Sequence, residues 1–532
     1  MIVGGAMLYR LIMVIFCFSS YLECVEMVMW HRQIGTDLTG SGVFISKLYS
    51  PDSGYDQFSL PSGVEDNNYF QIQNTDEIAC SGSISEGSYT IQLAVSNGTD
   101  TYLQSVAFTV VNGKTQPRIS SGLFHFLALK NNGEVYSVGI GSDGRLGRGS
   151  GANYSSLGRI NSLTSQNIID VVAGEDSSFF LCRDGRVFVT GRNNARQLGH
   201  GTSHVYTPTQ NTALASEFIV AVAASASYSL TAHGGGATLF LTAQGEVFGA
   251  GKGNLGQLGL GYQASSINPP VSLQATHNIL DAEFVLQISL GGDFCAILTS
   301  SNLYVAGRND FGQLGRGSTP VSNYTLESVS FGSTISYVKA ATGWTYLADS
   351  SGTLYGTGYN TSGVLGVGNT TNQTTFTALN FGYNVLDTWA VATGSATSAS
   401  ATIILSNGNG DFRSGANGEN QLGGGITAPS SSPTAMTLPG GVTVTQAAVM
   451  SNSSIIMTSA GTLYSSGDSV YGELALGGTT SVTSYTSTGF SVGTNTLQPK
   501  IITPAMVETT LKQTSFFGIS WASYELGDAN LL

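Results

Sequence analysis

Two stretches of this chain have the spacing of a phosphate-binding loop. Gly139, Gly141 and Gly144, and again Gly251, Gly253 and Gly256, form G-x-G-x-x-G after a strand-like apolar run. Glycines so spaced let a backbone wrap a pyrophosphate, but that chemistry needs the motif to open a helix. Here "RLGRGS" and "QLGLGY" follow, which read as turns, so nucleotide binding is not expected. Gly113-Lys114-Thr115 resembles the end of another phosphate loop, yet Phe108 stands where its first glycine belongs. His200 and His204 lie in the loop-like run "LGHGTSH", so they share no helix face that would ligate a metal. His125, in "SSGLFHFLAL", reads as a strand histidine satisfied by backbone. No G-x-S-x-G, paired-carboxylate or Cys/His constellation stands out. The expectation is no catalytic residue, no cofactor, no metal and no small-molecule substrate.

The elements around these glycines explain them better. The stretch "LYVAGRNDFGQLGRG" (303–317) recurs at 135–149, 187–201, 247–261, 354–368, 411–425 and 463–477. The first glycines are Gly139, Gly191, Gly251, Gly307, Gly358, Gly415 and Gly467, spaced 52, 60, 56, 51, 57 and 52 residues apart. Three residues before each stands an aromatic: Tyr136, Phe188, Phe248, Tyr304, Tyr355, Phe412 or Tyr464. Such a residue suits a half-buried pleated surface. Seven residues after each glycine stands a leucine: Leu146, Leu198, Leu258, Leu314, Leu365, Leu422 and Leu474. These predict a plug between neighbouring units, and the glycines a close backbone approach or positive φ. Upstream, "HFLALKNNGEVY", "SFFLCRDGRVF" and "LFLTAQGEVF" read as strand, tight turn, strand. Seven sheets without helices, each too small to bury both faces, predict an all-β, seven-bladed propeller.

Residues 118–477 therefore resemble the regulator of chromosome condensation repeat family, whose repeat ends in N-x-x-G-Q-L-G-x-G. The match is close in Gly307-Arg308-Asn309 through Gly317 and in "DGRVFVTGRNNARQLGHG". The resemblance implies a propeller of about this length. It also implies a choice of roles: exchange factors for a small nuclear GTPase, adaptor modules, light receptors and secreted inhibitors all occur in the family. A light receptor needs clustered tryptophans, and only Trp344 and Trp389 lie in the repeats, so that role is set aside.

Residues 36–112 lack the repeat. Tyr89, Ile91, Leu93 and Val95, then Val106, Phe108 and Val110, alternate as two antiparallel strands. The segment predicts a small β-sandwich. "GVFISKLYSPDSGYD", "NYFQIQN" and "GSYTIQLAV" resemble a cadherin repeat, without that family's acidic calcium motifs. Residues 113–117 read as a linker, 118–523 as the propeller and 524–532 as a tail. The Ser/Thr-rich stretch 478–532 includes "AMVETTLKQTSFFGISW", similar to the upstream half of a repeat, and is expected to complete the ring by pairing with the first repeat; a frayed tail is the alternative.

Composition narrows the partners. Only 10% of residues are charged and the net charge is −13, with no evident Lys/Arg cluster, which argues against nucleic acid. Arg10, the apolar run 11–18 and Ser19-Ser20 have the order of a secretory signal peptide, taken as residues 1–22; a signal anchor is the alternative. Of five cysteines, Cys24 and Cys80 could pair outside the cytosol, while Cys182 and Cys295 read as buried thiols. Sequons stand at Asn97, Asn153, Asn323, Asn360, Asn369, Asn372 and Asn452, about as many as so Asn-, Ser- and Thr-rich a chain would hold by chance; they would be glycan acceptors in a secreted protein. The leading expectation is a non-enzymatic secreted or cell-surface module that binds a protein through blade loops. The candidate loops are the two that break the period, with His233, Gly234, Gly235 and Gly236 in one and Ser395 and Thr397 in the other. A guanine-nucleotide exchange factor acting on a small GTPase is the alternative.

Overall fold

The computed structural model describes residues 115–493, except 226–235, 276–282, 320–321, 380–384, 392–400, 407–410, 426–427 and 441, together with parts of 27–111 and the strand Ala505–Val507. Two compact units divide at Val110/Val111 and again at Thr503/Pro504. The expected signal peptide, Cys24, the tail 524–532 and loop residues His233, Gly234, Gly235, Ser395 and Thr397 lie outside the described residues.

The first unit holds two sheets. One orders Ala505–Val507, Met27–Met29, Phe44–Tyr49, Glu77–Cys80 and Phe70–Gln73; the other orders Gln33–Gly35, Thr101–Val111, Gly87–Ser96 and Gln57–Ser59. Tyr89, Ile91, Leu93 and Val95 are buried and Thr90 and Gln92 half-buried, as the alternation predicted, but Ala94 is buried as well; the side chains of Val106, Phe108 and Val110 lie outside the described residues. Tyr69, Phe70 and Tyr89 stack edge to face with centroids 5.7–6.5 Å apart.

The second unit is the propeller. Seven four-stranded antiparallel sheets follow one another along the chain, and each is contiguous in sequence. The innermost strands are Arg118–Ser121, Ile168–Ala173, Ile219–Ala224, Val285–Leu290, Ile335–Ala340, Val385–Val391 and Val444–Val449. Blade 1 takes all four strands from residues 118–159, and blade 7 ends on Val482–Ser491. Of the stretch 478–532, Val482–Ser491 is the outer strand of blade 7 and Val492 O accepts from Asn131 N of blade 1 at 2.8 Å, while the "SFFGISW" segment expected to pair with the first repeat lies outside the described residues. Ala505–Val507 pairs instead with Met27–Met29 in the first unit. Inner-strand bonds join blade 7 to blade 1: Gln446 accepts from Ile119 N (3.0 Å) and donates to Pro117 O (2.9 Å), and Ser121 Oγ donates to Val449 O (3.0 Å).

The repeat residues do what their types imply. All seven repeat leucines are 0–2% exposed. Leu314 packs among Phe294, Leu298 and Val305 of its own blade and Val338 and Leu347 of the next. The seven first glycines have φ of 91–112°. At Gly307 a Cβ would stand 2.5 Å from Asp293 O and Phe294 Cα, so only glycine lets the third strand touch the second. The aromatics three residues earlier are half-buried, apart from the buried Tyr304.

Candidate interaction face

Strand alternation fixes which connections share an end of the ring. In every blade the link between strands 1 and 2 and the link between strands 3 and 4 emerge together, because successive antiparallel strands reverse direction. The Gly-Leu loop of each repeat is the second of these. In blades 2, 4, 5 and 6 it is folded by an asparagine. Asn193, Asn309, Asn360 and Asn417 accept through Oδ1 from the amide of the repeat leucine at 2.7–3.1 Å, and donate through Nδ2 to the returning chain. In blades 1 and 3 glycine replaces that asparagine, as Gly141 and Gly253, and this is what creates the apparent dinucleotide motif. The glycines serve turn geometry: a Cβ on Gly144 would lie 2.5 Å from Val205 O of the next blade.

The residue before the leucine adds a second bond. Gln197, Gln257, Gln313 and Gln421 accept from the amide two residues earlier at 2.9–3.0 Å. Glu473 does so in blade 7, taking Tyr471 N at 2.8 Å. Burial pushes the Glu473 carboxyl up to about 7. Hydroxyls of the following blade bind the same backbone from outside: Ser178, Thr238, Thr345 and Ser454 donate to the carbonyls of Arg145, Gln197, Gln313 and Gln421.

This end of blades 1–4 carries a charge network. Asp176 is held between Arg145, with which it forms a buried ion pair, and Arg192 at 3.0 Å. Arg145 also faces Asp143 at 3.8 Å, and His204 lies 3.1 Å from Asp143 and 2.7 Å from Asn194 Oδ1. Glu175 beside Asp176 is pushed up to about 7, first by burial and then by that neighbouring carboxylate. Blade 4 repeats the pairing at matching positions, with Arg308 3.6 Å from Asp293 and 2.8 Å from Asp310. His125 is fully buried, donating to or accepting from Ser178 Oγ at 3.0 Å; burial and the Arg145 charge push it down to about 3. It is a core strand residue held neutral, as expected, but its ring bonds to the Ser178 hydroxyl rather than to backbone. Among the described residues no group of three or more His, Cys, Asp or Glu side chains could hold a metal.

The network was missed in sequence because its members lie in different repeats. The available signal was an acid just before the second strand (Asp176, Asp293) paired with the arginine immediately after the repeat's first glycine (Arg192 after Gly191, Arg308 after Gly307). The lopsidedness is visible only around the ring. The Gly-Leu loops of blades 1–4 bring Arg145, Arg148, Arg192, Arg196, Lys252, Arg308 and Arg316 to this end; those of blades 5–7 bring no Lys or Arg. Both period-breaking stretches open here too. Residues 226–235 link strands Ile219–Ala224 and Ala237–Thr242 of blade 3, and 392–400 link Val385–Val391 and Ala401–Ser406 of blade 6. Of the candidate loop residues Gly236 is described: it is buried, with φ +82°, and its amide donates to Ser225 Oγ at 2.8 Å.

The fold and its clamps define a seven-bladed β-propeller whose Gly-Leu loops lock each blade to the next. Two family models, both described as regulator of chromosome condensation (RCC1) repeat, match it, one at 132–181, 184–232 and 244–298 and the other at 118–145 and 168–197. Residues 118–298 thus carry repeats of that family. It is 30% identical over 270 residues to the ultraviolet-B receptor UVR8 of Arabidopsis thaliana, a match covering 50% of this chain and 58% of the receptor. It is 30% identical over 256 residues to the human E3 ubiquitin-protein ligase HERC2, covering 48% of this chain and 5% of the ligase. The chain thus spans little more than half of the one relative and a small part of the other. Among solved structures, Prp20p of Saccharomyces cerevisiae, described with its binding to Gsp1p and histones, superposes with a TM-score of 0.51 at 16% identity, covering 84% of this chain and 93% of Prp20p. That similarity shows the shared propeller.

Proposed function

We propose that this chain binds a partner protein through the Gly-Leu-loop end of the propeller, with connections 226–235 and 392–400 as the contact elements. One observation carries the reading: the two stretches that break the repeat period are both strand 1 to strand 2 links, so both open at the same end, three blades apart. Variable loops on a rigid scaffold are where such folds place recognition. Support also comes from Prp20p, described with two protein partners. The reading needs no cofactor, small-molecule substrate or catalytic centre. Replacing each connection by a short Gly/Ser link should abolish co-precipitation of the partner while the melting curve stays put. A partner retained by both replacements overturns the proposal.

The order of Arg10, the apolar run and Ser19-Ser20 supports export, and with it an extracellular or surface partner. Among the described residues no helix is long and apolar enough to cross a membrane. Expression with the native N-terminus and mass spectrometry of the medium tests this: a product beginning between Ser20 and Cys24 is expected, and a cell-retained chain with residues 1–24 intact refutes it. The second reading, nucleotide exchange on a small GTPase, is favoured by the length of the blade 3 interval, 60 residues. Nucleotide release that disappears when 231–237 is shortened would establish it.

A further inference from the structure

Seven sequons are equivalent in sequence, and the fold makes them unequal. An N-linked glycan is joined to the asparagine Nδ2, so that atom must reach solvent in the folded protein. At Asn360 it cannot. The residue is fully buried, its Oδ1 accepts from Leu365 N at 3.0 Å, and its Nδ2 donates to Asn369 O at 2.9 Å and Thr371 O at 3.1 Å. It is the asparagine that folds the loop of blade 5, and "NTS" also makes it an acceptor sequence. At Asn323 the Nδ2 is likewise buried. By contrast Asn97, in the turn between Gly87–Ser96 and Thr101–Val111, and Asn153 and Asn369, in Gly-Leu loops, are exposed. The last two are held only as acceptors among their described bonds, Asn153 from Gly141 N at 3.0 Å and Asn369 from Thr371 N at 2.9 Å.

We propose that Asn97, Asn153 and Asn369 are the N-glycan acceptors of the folded protein and that Asn360 and Asn323 are incompatible with one. Asn372 and Asn452, both half-buried, lie outside the assignment. The co-reactant is a lipid diphosphate-linked oligosaccharide. The amide nitrogen bonds to the sugar's anomeric carbon, the bond from that carbon to the phosphate oxygen breaks, the lipid diphosphate departs with the electron pair, and Nδ2 loses one proton. Because transfer can precede folding, a chain modified at Asn360 loses its Nδ2 bonds to Asn369 O and Thr371 O and cannot complete blade 5. The inference rests on the export reading, and it makes Asn360 a point at which the exported pool is sorted.

The full chain should be expressed in a eukaryotic secretory host, in parallel with its native N-terminus and with a cleavable foreign leader. Enzymatic glycan release in heavy-oxygen water marks each formerly glycosylated asparagine as labelled aspartate for peptide mapping, applied to the medium and to the retained fraction. Label at Asn97, Asn153 and Asn369 is expected in the medium, with none at Asn360 or Asn323. Ser362→Ala deletes the Asn360 sequon without touching its side chain and should leave the exported yield equal or higher. Label at Asn360 or Asn323 in exported, cooperatively melting protein overturns the inference, and so does the absence of label at the three exposed sites in either fraction. If only the foreign leader exports and the pattern holds, the export reading fails and with it glycosylation of the native chain, while the ranking of the sequons by the fold stands.

Discussion

Blade 4 and blade 7 carry out one plan with different residues. In blade 4, Asn309 folds the loop, Gln313 takes the Phe311 amide, and Gly315 adopts φ +67° against the Phe376 ring of the next blade. In blade 7 the same places hold Ser469, Glu473 and Ala475, the last at φ +60° in the cluster that contains Leu157 of blade 1. The family models match only within 118–298, blades 1–3 and part of blade 4, yet blades 5–7 are built as regularly. The difference teaches which features a blade requires. A buried leucine, glycine where strands touch and an acceptor for one loop amide persist; the side chain that supplies the acceptor does not. The halves also part in charge: the Gly-Leu loops of blades 1–4 carry Lys and Arg, whereas those of blades 5–7 carry none and, among the described residues, receive only the buried guanidinium of Arg413, which donates to Gly423 O at 2.6 Å.

The strongest test of this equivalence is to empty the plug in each half. Leu314→Ala and Leu474→Ala should each cost about 2–5 kcal/mol, as buried leucines do. Denaturant melts should show similar losses, and a much smaller loss for Leu474 would mean the last blade is not clamped like the fourth. Next, Asn309→Ala strands Leu314 N and Ser318 O and should cost about 1–3 kcal/mol. The same change at Asn97, which is exposed, should leave the melt nearly unmoved.

Glu473→Gln sharpens the comparison through pH. The folded carboxyl is raised to about 7 from an ordinary value of 4.5. Its contribution is therefore complete below about 4.5 and is lost as pH rises through 7, because the unfolded chain gives up its proton first. Glutamine keeps the acceptor for Tyr471 N and removes the titration. The variant should match the parent at pH 4 and exceed it by about 1–3 kcal/mol at pH 8; an equal difference at both would place the effect elsewhere. The smallest change expected is Ala475→Gly. Relief of a left-handed alanine outweighs the added freedom of the unfolded glycine by about 0.5–1 kcal/mol, read as a rise in melting temperature. A fall would show that the packing of the methyl against blade 1 matters more than its backbone angle.

Much of this was legible beforehand, for a local reason. The leucine, the positive-φ glycine and the half-buried aromatic each answer to sterics within one repeat, so their recurrence spelled out blade count, strand order and plug. The asparagine and glutamine bonds were not predicted, although both residues stood in the motif, because their partners are backbone amides that a pattern of side chains does not display. The "SFFGISW" segment looks like half a repeat, but it lies outside the described residues, and blade 1 draws its four strands from 118–159 alone.

The sequence by itself determined a seven-bladed, turn-rich, lightly charged propeller preceded by a small β unit, since periodic sterics and burial are written residue by residue. Tertiary structure alone decided what depends on distant residues meeting. Gln446 bonds to Ile119 across 327 positions to shut the ring. Asp176 meets Arg145 of the blade before it, two departures from the period come to one end, and of seven N-x-S/T sequons one is sealed in a loop while others face water. Antiparallel alternation and ring closure set those meetings, and neither is a property of any single repeat.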